Sequence, residues 1–228
     1  MVNNELHETH MKNILTAIST HEIGQFLAFK GGTLAYRLHN LDRFSTDIDL
    51  DLLDINQEKN IIEKMEEILV RLGDIKNMTM GKDMHRWIFG YDQENMNIKV
   101  EINKRIWKNN TYRSQNVKEV AISCMDPDCL FTNKIVALSE RFYSRDLYDV
   151  HFFFRKNFSI NESLIVERTW LSLKKFLQNI IKELPKYFTE NTVLAGLGEV
   201  LNNKQKAWVK KYLLAETIDY IKIFLSKN

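Results

Sequence analysis

Apolar residues recur along this chain with two different periods, and the point where one gives way to the other divides it. Between Phe26 and Asn103 short runs alternate. Ile48 and Leu50 are interleaved with Asp47 and Asp49, and in Asn97-Ile-Lys-Val-Glu-Ile-Asn103 the residues Ile98, Val100 and Ile102 face one side while Lys99, Glu101 and Asn103 face the other. The pattern predicts strands over 26–30, 47–53, 75–80, 85–91 and 96–103, with the polar turn Asp92-Gln93-Glu94-Asn95 closing the last two into a hairpin. Helical spacing surrounds them. Leu6, Ile14, Leu15 and Ile18 give a partial stripe, 34–39 reads as a short helix, and Ile61, Ile62, Met65, Ile68, Leu69 and Leu72 make an amphipathic helix to cover the sheet.

After about residue 124 only helices are predicted. Asp126-Pro127 is a start signal, a capping side chain followed by proline at the first helical position. That helix extends through Lys134 to about Phe142, and others cover 145–155, 164–184 before Pro185, and 204–224. The expectation is an α+β fold, with a mixed-sheet domain over 1–123, a helical domain over 124–228 and an active cleft between them.

Composition narrows this only a little. A chain of 228 residues can bury a core able to hold carboxylates rigidly, and 44% hydrophobic with 27% charged residues is ordinary for a soluble globular protein. A formal charge of +2 names no partner, so any nucleic-acid surface must come from local clustering. Cys124 and Cys129 have no second pair to complete a zinc site and read as reduced thiols in or near the core. His7 and His10, with no third ligand nearby, read as exposed polar residues. No apolar run reaches membrane-spanning length and MVNNELHETHMKN lacks the order of a secretion signal, so the expectation is a cytoplasmic protein with no membrane partner.

The chemistry concentrates in KGGTLAYRLHNLDRFSTDIDLD, Lys30 to Asp51. Asp47 and Asp49, one residue apart on a strand, project from the same face and can both grip a divalent cation. Gly31 and Gly32 let backbone approach a ligand, and Thr33 is placed to cap the following helix, whose free N–H groups suit a phosphate. Burying two carboxylates among Phe26, Leu27, Phe29, Ile48 and Leu50 is costly unless a cation compensates them. Together these features suit a nucleoside triphosphate (NTP) held on Mg²⁺ or Mn²⁺.

This stretch resembles the signature of the DNA polymerase beta-type nucleotidyltransferase superfamily, with thirteen residues between Gly32-Thr33 and Asp47. Within it, Gly-Gly-Thr followed by Arg43, Ser45, Asp47 and Asp49 is similar to the AbiEii/AbiGii-type toxins, which include the MenT toxins. A second block, Lys134-Ile-Val-Ala-Leu-Ser-Glu-Arg141 and then Arg145-Asp146-Leu-Tyr-Asp149, resembles that family's downstream Lys and Arg-Asp-x-Tyr-Asp motif. The resemblance implies that Asp47 and Asp49 hold the metal and that a later strand supplies a third carboxylate, for which Glu101 is the candidate. The alternative for Glu101 is a solvent-facing glutamate beside a lysine. Arg43 and Ser45 either contact the phosphates or order the start of the strand. Lys134 and Arg141, seven residues apart, share a helix face and can bring positive charge to the triphosphate; without the resemblance they read as a surface stripe. Both Asp149 and Asp146 are candidate catalytic residues: Asp149 is the expected partner of Lys134, orienting it or assisting proton removal, while Asp146 caps or stabilises a helix end, and Tyr148 is a packing residue.

For a polynucleotide acceptor, Lys99, Lys104, Arg105, Lys108, Arg113 and Lys118 flank Trp107 and Tyr112, a mixture suited to phosphates and stacked bases. The resemblance implies a toxin that transfers a nucleoside monophosphate from an NTP to RNA, tRNA being the favoured acceptor, and that is restrained by a cognate antitoxin. Transfer to a protein or small molecule, or a nucleotide-binding module without catalysis, are the alternatives.

Overall fold

The computed structural model describes residues 4–91, 97–198 and 200–227, so the turn expected at 92–95 lies outside the described residues. The chain divides into two compact units. One comprises 1–40, 45–106 and 111–125; the other comprises 41–44, 107–110 and 126–228.

The first unit is built on a sheet. Its elements are α1 (Asn4–Thr20), β1 (Leu27–Lys30), α2 (Gly31–His39), β2 (Asp47–Leu52), α3 (Glu58–Leu72), β3 (Asp74–Met80), β4 (Met84–Gly90), β5 (Asn97–Asn103), β6 (Tyr112–Val117) and β7 (Val120–Met125). Among the described residues the strand order is β3-β4-β5-β2-β1-β7-β6. The sheet is mixed: β2 runs parallel to β5 and β1 parallel to β7, while the remaining neighbours are antiparallel. The alternation in β5 and β2 is realised, since Ile48, Leu50, Ile98, Val100 and Ile102 are fully buried. Met11, Ile14, Leu15 and Ile18 of α1 and Ile61, Met65 and Leu69 of α3 complete this core. Fully burying one such side chain stabilises by roughly 1.5–3 kcal/mol, so the alternating face fixes the register against slippage.

Two strands, β6 and β7, are not among those expected; β7 does alternate, with Val120, Ile122 and Cys124 buried and Ala121 exposed, whereas β6 carries no clear signal. In β6, Tyr-Arg-Ser-Gln-Asn-Val offers polar residues to both faces and lies at the sheet edge, so no period-two pattern exists. The turn joining it to β7 is Lys118-Glu119, both left-handed at φ 47° and 74°, in place of the Asn-Gly type of signal that hairpins favour.

The second unit is helical: α4 (Pro127–Arg141), α5 (Ser144–Arg155), α6 (Glu162–Thr169), α7 (Leu173–Tyr187), α8 (Asn203–Trp208) and α9 (Leu214–Lys227). Pro127 opens α4 as expected, although Asp126 makes no side-chain cap bond. The single helix expected over 164–184 is two. Trp170 adopts a left-handed conformation (φ 61°) that ends α6, and Ser172 accepts from the Lys175 N–H to start α7. Pro185 lies inside α7, which continues to Tyr187. The last expected helix is broken by a π turn over Val209–Leu213. Phe131, Phe152, Phe153 and Leu177 are buried in this unit, with Phe131 stacked on Phe153 and edge-on to Phe154.

Candidate active site

In the sheet unit, the register of four neighbouring strands lays charged residues in one row. Arg86 of β4 is opposite Glu101 of β5, Glu101 is opposite Asp49 of β2, and Asp49 is opposite Lys30 of β1. Register partners point to the same face, so Glu101 is Asp49's immediate neighbour, and Asp47 and Asp51 flank Asp49 along β2. The carboxylates are exposed in graded fashion: Asp47 is 28% exposed, Glu101 14% and Asp51 0%.

Asp51 has a settled role, since it accepts from Lys30 Nζ (2.5 Å), Asn103 Nδ2 (2.8 Å) and the Tyr112 hydroxyl (2.9 Å). Neither Asp51 nor Lys30 is among the site residues that the sequence predicts. The signal available is the third aspartate in Asp-x-Asp-x-Asp, on the same face as the other two. Glu101 is held by Arg86 Nε at 2.6 Å, and Asp47 by Lys99 Nζ at 3.0 Å. Lys99 therefore turns its ammonium to the acidic row. Burial disfavours its charge, but Asp47, Glu101 and Asp49 together outweigh this and raise the Lys99 pKa.

Gly31 is required twice over. Its φ is +80°, a region that disfavours side chains, and a Cβ there would come within 2.7 Å of Asp49 Cγ. The glycine pair is the first turn of α2 itself, so the N–H groups at the start of that helix belong to Gly31, Gly32 and Thr33. Thr33 does not cap the helix. The N-cap is Lys30, and Thr33, fully buried one turn in, donates its hydroxyl to Ser45 Oγ at 3.0 Å. That bond ties the start of α2 to the residue two before Asp47.

Asp47, Asp49 and Glu101 present hard oxygen donors on one face, the chemistry a Mg²⁺-like ion takes. Among the described residues no three acidic, histidine or cysteine side chains are gathered as a metal cluster.

In the helical unit a second charged cluster has its carboxylates buried. Asp149, fully buried at the centre of α5, receives both arms of Arg43, Nε at 2.6 Å and Nη2 at 2.7 Å, and Lys134 Nζ at 2.8 Å. Asp146 takes Arg141 through Nε (2.7 Å) and Nη2 (3.0 Å), with Lys134 at 3.5 Å. Burial would raise the Asp149 pKa, but the cations Arg43 and Lys134 hold it below the usual carboxylate range. For Lys134 burial works in the opposite sense and is again outweighed, here by Asp149 and Asp146, so its pKa is raised.

Arg43 also donates Nη1 to the Phe44 carbonyl, so a phosphate contact from Arg43 would require these bonds to break. Asp146 does more than end a helix, because it bridges α4 and α5 through Arg141 and Lys134. Tyr148 is more than packing: its hydroxyl donates to Asp42 Oδ1 at 2.9 Å and, with burial as the main cause, its pKa is raised.

The matched family model covers residues 13–207 and is described as nucleotidyl transferase AbiEii toxin of the type IV toxin–antitoxin system. The chain belongs to this family. Two solved structures from Helicobacter pylori share the fold: JHP933, at 18% identity and TM-score 0.65 over 100% of this chain and 94% of that one, and a protein described as a candidate nucleotidyltransferase, at 18% identity and TM-score 0.61 over 98% and 99%. No curated protein matches significantly. The family fixes the class of activity, nucleotidyl transfer by a toxin of a toxin–antitoxin system.

Other expected site features are distributed differently. His7 is buried rather than exposed, sharing hydrogen bonds with the Tyr91 hydroxyl (2.7 Å) and the Thr46 carbonyl (3.2 Å), and His10 stacks on Tyr91. The polar atoms of His7 are satisfied by these two partners, which is why α1 can bury it. In the basic segment, Lys104 pairs with Glu58, Arg105 with Asp83 and Lys118 with Glu8, while Trp107 lies beneath the Arg168 guanidinium. Cys124 and Cys129 are buried thiols, and burial pushes the Cys124 thiol up to about 12. No helix among the described residues is long and apolar enough to cross a membrane.

Proposed function

We propose that this protein transfers a nucleoside monophosphate from an NTP to an RNA acceptor, tRNA being the favoured one, and that a cognate antitoxin restrains it. The observation that carries the reading is the row Glu101-Asp49-Lys30 beside Asp47 and against Gly31, in a chain of the AbiEii nucleotidyl transferase family.

Asp47 and Asp49, joined by Glu101, are the residues to hold Mg²⁺ or Mn²⁺, which when bound would neutralise the triphosphate charge. The N–H groups of Gly31, Gly32 and Thr33 receive phosphate oxygens, and Ser45, bonded to Thr33, keeps that turn in register with β2. Lys134 adds positive charge for the triphosphate, and Asp149 and Asp146 orient its ammonium. Arg43 serves that orientation through Asp149, and Arg141 does so through Asp146. The acceptor hydroxyl is aligned by binding and loses its proton as the α-phosphate is attacked and pyrophosphate leaves.

The test is incubation of the purified protein with total RNA, total protein and each α-labelled NTP in turn, with Asp49→Ala alongside. Label entering RNA, from the wild type only, is expected. Label entering protein instead would reassign the acceptor, and equal labelling by Asp49→Ala would remove the metal-site assignment.

A further inference from the structure

Lys99 stands out in the acidic row because it is a cation on the strand proposed to supply a metal ligand. It sits opposite Asp47 in the parallel β2–β5 pair, and its ammonium lies 3.0 Å from Asp47 Oδ2 and 3.7 Å from Glu101 Oε1. Among the described residues two further cations face the row, Arg86 paired with Glu101 and Lys30 paired with Asp51. Asp47, Asp49 and Glu101 thus bring three carboxylates to one face, and Lys99 is the cation shared between two of them.

The row is half-buried, so uncompensated carboxylates there would repel one another and destabilise β2 against β5. A lysine is suited to a compensation that must be reversible. Its ammonium is a point charge on a flexible four-carbon stem, and here the side chain is 33% exposed and so has solvent to move into.

We propose that Lys99 is a tethered counter-ion of the metal site: when no divalent cation is bound it neutralises Asp47 and shares Glu101 with Arg86, and it must be displaced for one to bind. This rests on the metal role proposed above for Asp47 and Asp49. Its consequence is a site that takes free metal weakly, because every metal ion competes with an ammonium already in place, and that favours metal arriving with its nucleotide.

The experiment measures Mn²⁺ affinity without nucleotide, from the paramagnetic resonance signal of free Mn²⁺, in the wild type, Lys99→Met, Lys99→Arg and Asp49→Asn. Lys99→Met removes the competitor and is expected to bind Mn²⁺ roughly tenfold more tightly. Lys99→Arg keeps the charge and should stay near the wild type. The melting temperature of Lys99→Met should be low without metal and rise on adding Mn²⁺ by more than that of the wild type, because the metal takes over the lost compensation. If Lys99→Met does not fold, Lys99→Gln, which still reaches Asp47 with a neutral amide, takes its place in the same comparison. Wild-type binding that Asp49→Asn abolishes but the neutral Lys99 variant leaves unchanged or weaker would overturn the counter-ion role alone. Absence of Mn²⁺ binding in every form would overturn the metal reading and this inference with it.

Discussion

The two acidic clusters of this molecule are built from the same residue types and compensated in opposite ways. On neighbouring β2 and β5 the carboxylates of Asp47 and Glu101 remain partly exposed and are held by Lys99 and Arg86, side chains that reach in from solvent. In α5, Asp149 has no exposure and is gripped by the two-armed Arg43 and by Lys134. A planar guanidinium at two short distances is a fixed partner, whereas an exposed ammonium is an exchangeable one. The difference teaches a contrast between a sheet row able to trade its cations for a ligand and a helical cluster whose cations are held in place.

The largest effect that would break this comparison lies in the sheet. Asp49→Ala is expected to lower nucleotide transfer by about a thousandfold or more, some 4 kcal/mol of transition-state stabilisation. The fold should be kept, because no apolar cavity is made. Transfer rate and circular dichroism, measured on the same preparation, check both halves. Full activity with Mg²⁺ present would falsify the assignment.

Asp149→Ala reverses the pattern. It strips the buried Arg43 of its carboxylate, leaves Lys134 only the longer contact to Asp146, and is expected to cost about 3–5 kcal/mol of stability, read from urea denaturation. If Asp49→Ala were equally destabilising, the distinction between exchangeable and fixed clusters would fail.

Acid titration sharpens the same contrast. The folded-state pKa of Asp149 is depressed, so its contribution is fully present above the unfolded value of about 3.9 and is lost as pH falls further, through the folded value. The gap in denaturation midpoint between the wild type and Asp149→Asn should therefore be constant from pH 7 to about pH 5 and close only below about pH 4. A gap that closes near neutrality would point to a different titrating group.

Smaller again is the expected kinetic effect of Lys134→Ala, about tenfold in transfer rate, with little change for Lys174→Ala, an exposed lysine of α7. Equal rates for the two variants would leave Lys134 as a purely structural partner of Asp149.

The least effect is expected from the triple replacement of Lys104, Arg105 and Lys108. Lys104 and Arg105 are already paired with Glu58 and Asp83, so the slope of log affinity for labelled tRNA against log salt should flatten by only about 1, with NTP binding unchanged. An unaltered slope moves the acceptor surface elsewhere.

Much of this architecture is legible in the amino-acid sequence alone. The alternation of Asp47-Ile48-Asp49-Leu50 and of the strand ending at Asn103 defines which side chains face the core, because a strand has a period of two and only one face can be apolar. The same logic puts Glu101 on the polar face, and Asp126-Pro127 marks the start of the helical unit. Local signals of this kind depend on the backbone of a few consecutive residues, and the sequence contains them in full.

What the sequence leaves open depends on partners distant along the chain. Nothing near Arg43 indicates that both its arms will close on Asp149, 106 residues away. Nothing near His7 announces Tyr91, and nothing in the spacing of Lys99 shows its ammonium turned to Asp47 rather than toward an RNA backbone. Thr33 has the hydroxyl that favours a cap position; the close approach of Gly31 to Asp49 moves the helix start to Lys30 and leaves Thr33 to bond Ser45. The sequence by itself determined the central strands, most of the helices, their apolar faces and the class of chemistry, but not β6, β7 or the break at Trp170. Tertiary structure decided which charges neutralise which, because desolvation makes an unpaired charge costly and only the assembled fold brings its counter-ion within reach.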